Sequence, residues 1–135
     1  GVFTDRVRES DKLLFIAGGI GITPIRALLE EQVRAGKDVI LIYGNRKEED
    51  IVFRDEFDSL TEKYPFKLFH ILSQETKLGF LSGYVDEEKL KTLVLDLLLR
   101  DVYLCGPVPM MDGVIKTLET LGVSPEHIHF ERFAF

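Results

Sequence analysis

The feature that most constrains the fold is an apolar run that stops at a glycine-rich turn and continues as a helical pattern. Residues 13–17 are continuously apolar, which is typical of a strand buried on both faces. Residues 18–23 interrupt the run, and Pro24 suits the first turn of a helix. Apolar side chains then recur at helical spacing until Gly36. A strand, a turn and a helix in this order predict an α/β unit.

The same alternation continues along the chain. Further strands are predicted at 39–43, 66–72, 102–104 and 128–130, and further helices at 53–64, 86–98 and 109–121. Asp86 is the predicted N-cap of its helix, and residues 73–85 are predicted to be a loop. Alternating strands and helices require right-handed crossovers. We therefore predict one domain over 1–135 with a Rossmann-like, doubly wound, five-stranded parallel sheet flanked by helices.

One strand leaves its inner face open. In the third strand, either Phe66, Leu68 and His70 face the core, or Lys67, Phe69 and Ile71 do. The second set is the more apolar, although period-two alternation alone does not decide between them.

Composition excludes several classes of function. The net charge of −6 disfavours nucleic acids and anionic membranes as partners, and no apolar run approaches the ~18 residues of a spanning helix. The single cysteine, Cys105, cannot form an internal disulfide or supply an iron–sulfur cluster, so we expect a reducing, cytoplasmic setting. The three histidines lack metal-ligand spacing, and we predict no metal site.

The glycine-rich turn predicts a diphosphate site. The string GGIGITP occupies residues 18–24, where a strand ends and a helix begins. Glycine lets the backbone approach a phosphate closely, and the helix start offers free N–H groups and a positive dipole end. Thr23 adds a hydroxyl donor. The alternative is a tight structural turn without a ligand.

Two familiar nucleotide motifs do not fit. The dehydrogenase fingerprint has glycine or alanine at its sixth position, where this chain has Pro24. Its acidic ribose partner should end the second strand, but that strand ends in YGNR, residues 43–46. No G-K-[S/T] follows the glycines, which excludes a P-loop.

Three strings together resemble the NAD(P)-binding module of the ferredoxin–NADP reductase superfamily. They are GGIGITP at 18–24, YGNR at 43–46, and CGP at 105–107 with Met110 and Met111. Residues 129–133, HFERF, resemble the endings of reductases that serve multicomponent oxygenases. Their order and spacing match over essentially the whole chain.

The resemblance implies a role for each matched position. Gly18, Gly19, Gly21, Ile22, Thr23 and Pro24 would hold the pyrophosphate. Asn45 and Arg46 would lie near the adenosine ribose. Cys105, Gly106, Pro107 and Met110 would border the nicotinamide, with Glu131 close by. An aromatic, Phe133 or Phe135, would lie against the flavin or the nicotinamide pocket. Cys105 and Glu131 are the candidate catalytic residues. Cys105 also fits a small buried hydrophobe, and Met110 fits simple helix packing.

The resemblance also implies a component that this sequence does not contain. Members carry a preceding barrel that binds FAD or FMN, and its arginine-containing motif does not occur here. The opening residues, GVF, resemble the segment that leaves that barrel, so we expect the chain to begin at the domain boundary. The predicted partners are that flavin domain and an electron acceptor, either a protein or a small molecule.

The predicted function is to bind NADH or NADPH and to position the nicotinamide for hydride transfer to the flavin. Arg46 would bind the 2′-phosphate of NADPH or stack on adenine; the alternative for Arg46 is a solvated surface charge. Lys47 would support a phosphate site. The acids at 48–50 would oppose one unless they simply begin the next helix. The alternative function is a non-catalytic nucleotide-binding or sensing module. An ordinary dehydrogenase is disfavoured by the missing acidic partner and the short chain.

Overall fold

A computed structural model describes residues 9–130 of the chain. Glu131, Phe133 and Phe135 lie outside the described residues. The strands are β1 Lys12–Gly18, β2 Asp38–Asn45, β3 Phe66–Leu72, β4 Leu81–Ser82, β5 Asp101–Cys105 and β6 Ile128–Phe130. The helices are α1 Ile22–Arg34, α2 Arg54–Lys63, α3 Glu87–Leu93 and α4 Val108–Thr120.

The strands form one parallel sheet in the order β4-β3-β2-β1-β5-β6. The chain moves outward from β1 in one direction through β2, β3 and β4, and then in the other through β5 and β6. The strand order therefore reverses beside β1, which is where ligands bind in open α/β sheets. The predicted doubly wound parallel sheet is confirmed.

The predicted count of five strands is wrong by one. β4 adds two residues at the sheet edge, where Leu81 and Ser82 pair with Ile71 and Leu72. The Gly83 N–H also donates to the Leu72 carbonyl at 2.9 Å. Two residues are too few to show the alternation by which strands are recognised, so this part of the predicted loop gave no strand signal.

Apolar layers cover both faces of the sheet. The layer beneath α1 and α2 includes Phe15, Leu29, Leu41, Phe57 and Tyr103. The layer beneath α3 and α4 includes Ile16, Ile42, Leu90, Leu104 and Leu118. β3 contributes to both layers, with Phe66 and Leu68 in the first and Phe69 and Ile71 in the second. Both predicted inner faces of β3 therefore pack against the core, because helices cover both sides of the sheet.

The predicted helix over 86–98 is too long. Asp86 does cap it, since its Oδ1 accepts the Lys89 N–H at 2.9 Å. The chain leaves the helix at Val94, and a separate 3-10 turn follows at Leu97–Leu99, which leaves Leu98 63% exposed. The break brings the Asp96 carboxylate to Arg100 Nε and Lys12 Nζ, each at 2.7 Å. An apolar stripe cannot reveal a bond to a distant strand.

Candidate functional site

Three loops meet where β1, β2 and β5 end. β1 is paired with both of the other strands, so that Gly18 stands beside Gly44 and Ala17 beside Cys105. Parallel strands end at the same edge of a sheet, and the loops that follow them are therefore neighbours. The structure brings the three strings predicted from the sequence to one edge.

The glycines of two of these loops fit against one another. A Cβ atom on Gly21 would lie 2.8 Å from the Gly106 Cα and closer still to the Cys105 carbonyl. A Cβ atom on Gly106 would lie 2.6 Å from the Met110 sulfur. No real Cβ atom makes contacts this short with backbone, so the close approach of the loops depends on hydrogen at Gly21, whereas at Gly106 the Met110 side chain could move.

The glycine-rich loop delivers a helix start to this edge. A 3-10 turn spans Gly19–Gly21, with Gly19 in the left-handed region at φ 52°, and α1 begins at Ile22. No side chain caps α1, and its first turn contains no acidic residue. Its free N–H groups and positive dipole end can therefore receive an anion.

The predicted side chains of this loop differ in what they can contact. Thr23 and Pro24 are exposed, so the Thr23 hydroxyl is accessible to a ligand. Ile22 is fully buried in the layer beneath α1 and α2. The Ile22 side chain serves the core, and its N–H bonds to the carbonyls of the preceding 3-10 turn.

The string CGP, with which β5 ends and the loop after β5 begins, is buried at its first two positions and exposed at Pro107. The Cys105 side chain is 1% exposed and belongs to the apolar layer beneath α1 and α2. Gly106 is buried, Pro107 is exposed, and Met110 packs partly buried against the opposite layer. The sulfur of Cys105 is thus placed as a small buried hydrophobe is, and a role in hydride transfer stays a prediction.

Asn45 and Arg46 lie side by side but in different environments. Asn45 is 8% exposed, and its Nδ2 atom has no hydrogen-bond partner among residues 9–130. Arg46 is exposed, and no described carboxylate forms an ion pair with it. An amide without a partner and a cation without a counter-ion are groups that a bound ligand could satisfy.

The acids that follow Arg46 form a 3-10 turn of their own, Glu48–Asp50, well before α2 begins at Arg54. Asp50 Oδ2 accepts the Lys47 N–H at 3.2 Å. The Glu48 carboxylate bonds to Arg54 and Lys77, whose hydrogen bonds lower the pKa of Glu48. These acids thus begin a short 3-10 helix and not α2, and two of the three bond within the protein.

Sequence reasoning missed two neighbours of this edge. The loop after β3 runs beside Asn45 and Arg46, whose carbonyls accept the N–H groups of Ser73 and Gln74, each at 2.9 Å. The predicted parallel order of the strands could have revealed this neighbour, because β3 also ends at this edge and its loop must therefore lie there.

The second missed neighbour connects the starts of α1 and α2. The Arg26 guanidinium lies 4.6 Å from the centre of the Phe53 ring and pairs with both oxygens of Glu56. Phe53 has a left-handed backbone at φ 59°, a conformation that bulky residues rarely adopt. Nothing in the sequence pattern indicated either feature.

His127 and His129 are placed away from this edge. His127 Nδ1 and His129 Nε2 both contact Asp101 Oδ1, at 3.2 and 3.0 Å. Asp101 is the first residue of β5, at the opposite end of the strands. Within residues 9–130, no three histidine, cysteine or acidic side chains are grouped so that they could hold a metal ion. No helix in the same range is long and apolar enough to cross a membrane.

Comparison with known families identifies the domain. A family model described as the oxidoreductase NAD-binding domain matches residues 15–116. The chain belongs to this family. The match confirms the resemblance that the three strings indicated, and it confirms the oxidoreductase class of this NAD-binding domain.

Two known proteins similar to the NAD-binding domain are named as a subunit or component of a larger enzyme system. A component of 1,2-phenylacetyl-CoA epoxidase from Escherichia coli is 36% identical over 97% of this chain and 39% of its own length. The ferredoxin reductase component of 3-ketosteroid-9-alpha-monooxygenase from Rhodococcus rhodochrous is 34% identical over 98% of this chain and 37% of its own length. The chain therefore spans about two-fifths of these relatives.

A solved structure has the same architecture. The flavohem-like FAD/NAD-binding domain of nitric oxide dioxygenase from Vibrio cholerae superposes with a TM-score of 0.84 at 29% identity. The match covers 91% of this chain and 51% of that one.

Proposed function

We propose that this domain binds NADH or NADPH across the ends of β1, β2 and β5 and presents the nicotinamide to a flavin carried by a separate domain. The observation that carries the proposal is the close fit of Gly21 against the Cys105–Gly106 backbone beside an uncapped helix start. Bound together, the coenzyme supplies a hydride from the nicotinamide and the FAD or FMN accepts it.

The residues of this chain would then bind the coenzyme and orient its nicotinamide. Backbone N–H groups of the glycine-rich loop and the Thr23 hydroxyl would receive the diphosphate. Asn45 and Arg46 would receive the adenosine ribose, the former through its unpartnered amide. Cys105, Gly106, Pro107 and Met110 would border the nicotinamide. Glu131 and Phe133 would complete that end on the flavin side.

The wider role follows from the relatives. Those two relatives are components of an epoxidase and a monooxygenase, and one is termed a ferredoxin reductase component. We extend this to the present chain as a proposal: electrons pass from the flavin to an acceptor protein. A reducing, cytoplasmic compartment fits a domain whose single cysteine is buried.

Calorimetry and absorbance test the proposal on the 135-residue chain. We expect weak but measurable binding of NAD⁺ or NADP⁺, and a flavin mixed with this chain and NADH should stay oxidised. Tight binding that needs no second domain would favour a sensing module instead. Rapid bleaching of the flavin by this chain alone would contradict the division of labour between two domains.

For the choice of coenzyme, we propose that Arg46 contacts the 2′-phosphate of NADPH. Arg46→Ala should raise the Kd for NADP⁺ about tenfold or more, because a charge-assisted hydrogen bond is lost, while the Kd for NAD⁺ changes less than about twofold. Titration calorimetry measures both. Arg34→Ala removes the same charge from the far end of α1 and controls for net charge. Equal effects of Arg46→Ala on the two nucleotides would remove it from this role.

A further inference from the structure

The loop after β2 is fixed by groups from elsewhere in the chain. The Glu48 carboxylate accepts hydrogen bonds from Arg54 Nη1 at 2.6 Å and from Lys77 Nζ at 3.0 Å. The Glu48 N–H donates to Glu75 Oε2 at 3.0 Å. Glu48 thus connects the loop after β2 both to the start of α2 and to the loop after β3.

The same two loops are also joined by their backbones. The Ser73 and Gln74 N–H groups donate to the carbonyls of Asn45 and Arg46. These bonds fix the near end of the loop, and those of Glu48 fix its far end. Arg46 therefore extends from a short segment that is secured on both sides.

The acidic and basic side chains of the loop after β2 differ in whether they have partners. Glu48 directs its negative charge to Arg54 and Lys77, and these partners lower its pKa, so that it is ionised at neutral pH. The side chains of Arg46 and Lys47 form no ion pair with any residue between 9 and 130. The segment therefore turns one carboxylate toward the protein while its two cations stay available.

We infer that Glu48 is a positioning residue, which places Asn45 and Arg46 for the adenosine end of the coenzyme without touching the coenzyme itself. This inference rests on the proposed function. Simple repulsion predicts the opposite behaviour, because a carboxylate near an anionic ligand weakens binding and its removal should tighten it. The sign of the change in affinity therefore separates positioning from repulsion.

Glu49 provides a matched control. It is the neighbouring acid, its side chain is exposed, and it has no hydrogen-bond or ion-pair partner in the described part of the chain. Glu49→Ala and Glu48→Ala remove the same charge from adjacent positions. Only Glu48→Ala also removes the bonds to Arg54 and Lys77.

The experiment is titration of the 135-residue chain with NAD⁺ and with NADP⁺, at one ionic strength, for the wild type and three variants. Glu48→Ala should raise both Kd values about three- to tenfold, the range expected when a hydrogen-bonded support is lost. Glu48→Gln should have a smaller effect, because its amide oxygen still accepts from Arg54 and Lys77. Glu49→Ala should leave the Kd values unchanged or slightly lower. Thermal unfolding confirms that each variant is folded.

The failures are distinguishable. If the wild type binds neither nucleotide, the proposed function is overturned and the role of Glu48 with it. If the wild type binds and Glu48→Ala binds as well or better, the positioning role alone is overturned. Equal weakening by Glu48→Ala and Glu48→Gln would also contradict it, since loss of the charge would then suffice without loss of the hydrogen bonds. Should Glu48→Ala unfold, the comparison of Glu48→Gln with Glu49→Gln replaces it and has the same expected order.

Discussion

His70 on β3 is a half-buried side chain whose two ring nitrogens have no polar partner among residues 9–130. Its ring lies between those of Tyr43 and Phe80, with centroids 5.7 and 5.9 Å away. Both ring nitrogens are inaccessible to solvent and have no hydrogen-bond partner among the described residues. Burial, and then the nearby Arg54 charge, lower the pKa of His70 from its usual 6.5, so that the folded protein keeps the ring neutral.

This environment predicts a dependence of stability on pH. Below about pH 6.5 the unfolded chain binds a proton at His70 that the folded chain resists, so the free energy of unfolding should decrease as pH falls through that value. His70→Phe keeps an aromatic ring in place and should remove this decrease. Denaturant unfolding between pH 7 and 5 measures it. His127→Gln, at a half-exposed histidine, should retain the decrease. An identical slope in wild type and His70→Phe would refute the assignment.

At the scale of elements, the turn between β1 and α1 and the turn between β5 and α4 form one unit, because each fills space that the other leaves. Gly21 is the closest point between them. A methyl group there must displace backbone rather than a flexible side chain, which is why the position tolerates little.

Gly21→Ala should therefore cost about 1–3 kcal/mol of stability and weaken binding of NAD⁺ and NADP⁺ at least about tenfold, because the loops can no longer meet. Thermal unfolding and titration calorimetry measure the two effects. Gly113→Ala is the control, since its Cβ atom would meet nothing within 4 Å in the middle of α4. That variant should instead gain roughly 0.5–1 kcal/mol from higher helix propensity. Unchanged affinity in Gly21→Ala would show that the fit of the loops is irrelevant to binding.

The sequence was sufficient for elements with a long apolar pattern and insufficient for contacts between them. β3 has the predicted bounds, and β1 and β2 exceed theirs only at the ends. β4 was missed because two residues carry no period, and α3 was overextended because Leu97 and Leu98 continue its stripe. The glycine loop was recognisable because its chemistry is local. The bonds of Glu48 to Lys77 and of Arg26 to Glu56 join residues 29 and 30 positions apart, and no local pattern encodes them.

On the scale of the whole molecule, the two ends of the sheet serve different purposes. Opposite the three loops, Arg100 is 4% exposed and bonds to the Leu13 carbonyl, to Asp38 and to Asp96. It thereby ties together the starts of β1, β2 and β5. Lys12 adds a second bond to Asp96. The starts of these strands are fixed by a charge network around the buried Arg100, and their ends are left open for a ligand.

This network predicts an acid limit to stability. Hydrogen bonds from Arg100 and Lys12 lower the pKa of Asp96 from 3.8 to about 2. Its contribution to stability is therefore present above about pH 4 and is lost as pH falls from about 4 toward 2. Asp96→Asn should destabilise the protein by roughly 1–3 kcal/mol at neutral pH and flatten the stability curve in that acid range. Chemical denaturation at several pH values measures both.

The control for this acid effect is Asp55→Asn, at an exposed carboxylate in the first turn of α2. It removes one acid without disturbing Arg100, and its acid limb should match that of the wild type. If the free energy of unfolding falls as steeply between about pH 4 and 2 in Asp96→Asn as in the wild type, the acid sensitivity lies elsewhere in the molecule.

The fit of Gly21 against the Cys105–Gly106 backbone also fixes a distance within the proposed site. With these two loops in contact, the separation between the helix start and the loop after β5 cannot adjust to its occupant. On the proposed function, a ligand must span a set length, from the cation at the end of β2 to the loop after β5. A mononucleotide is too short to contact both ends of this site. Selection of a dinucleotide would then follow from length as well as from the chemistry of its two bases.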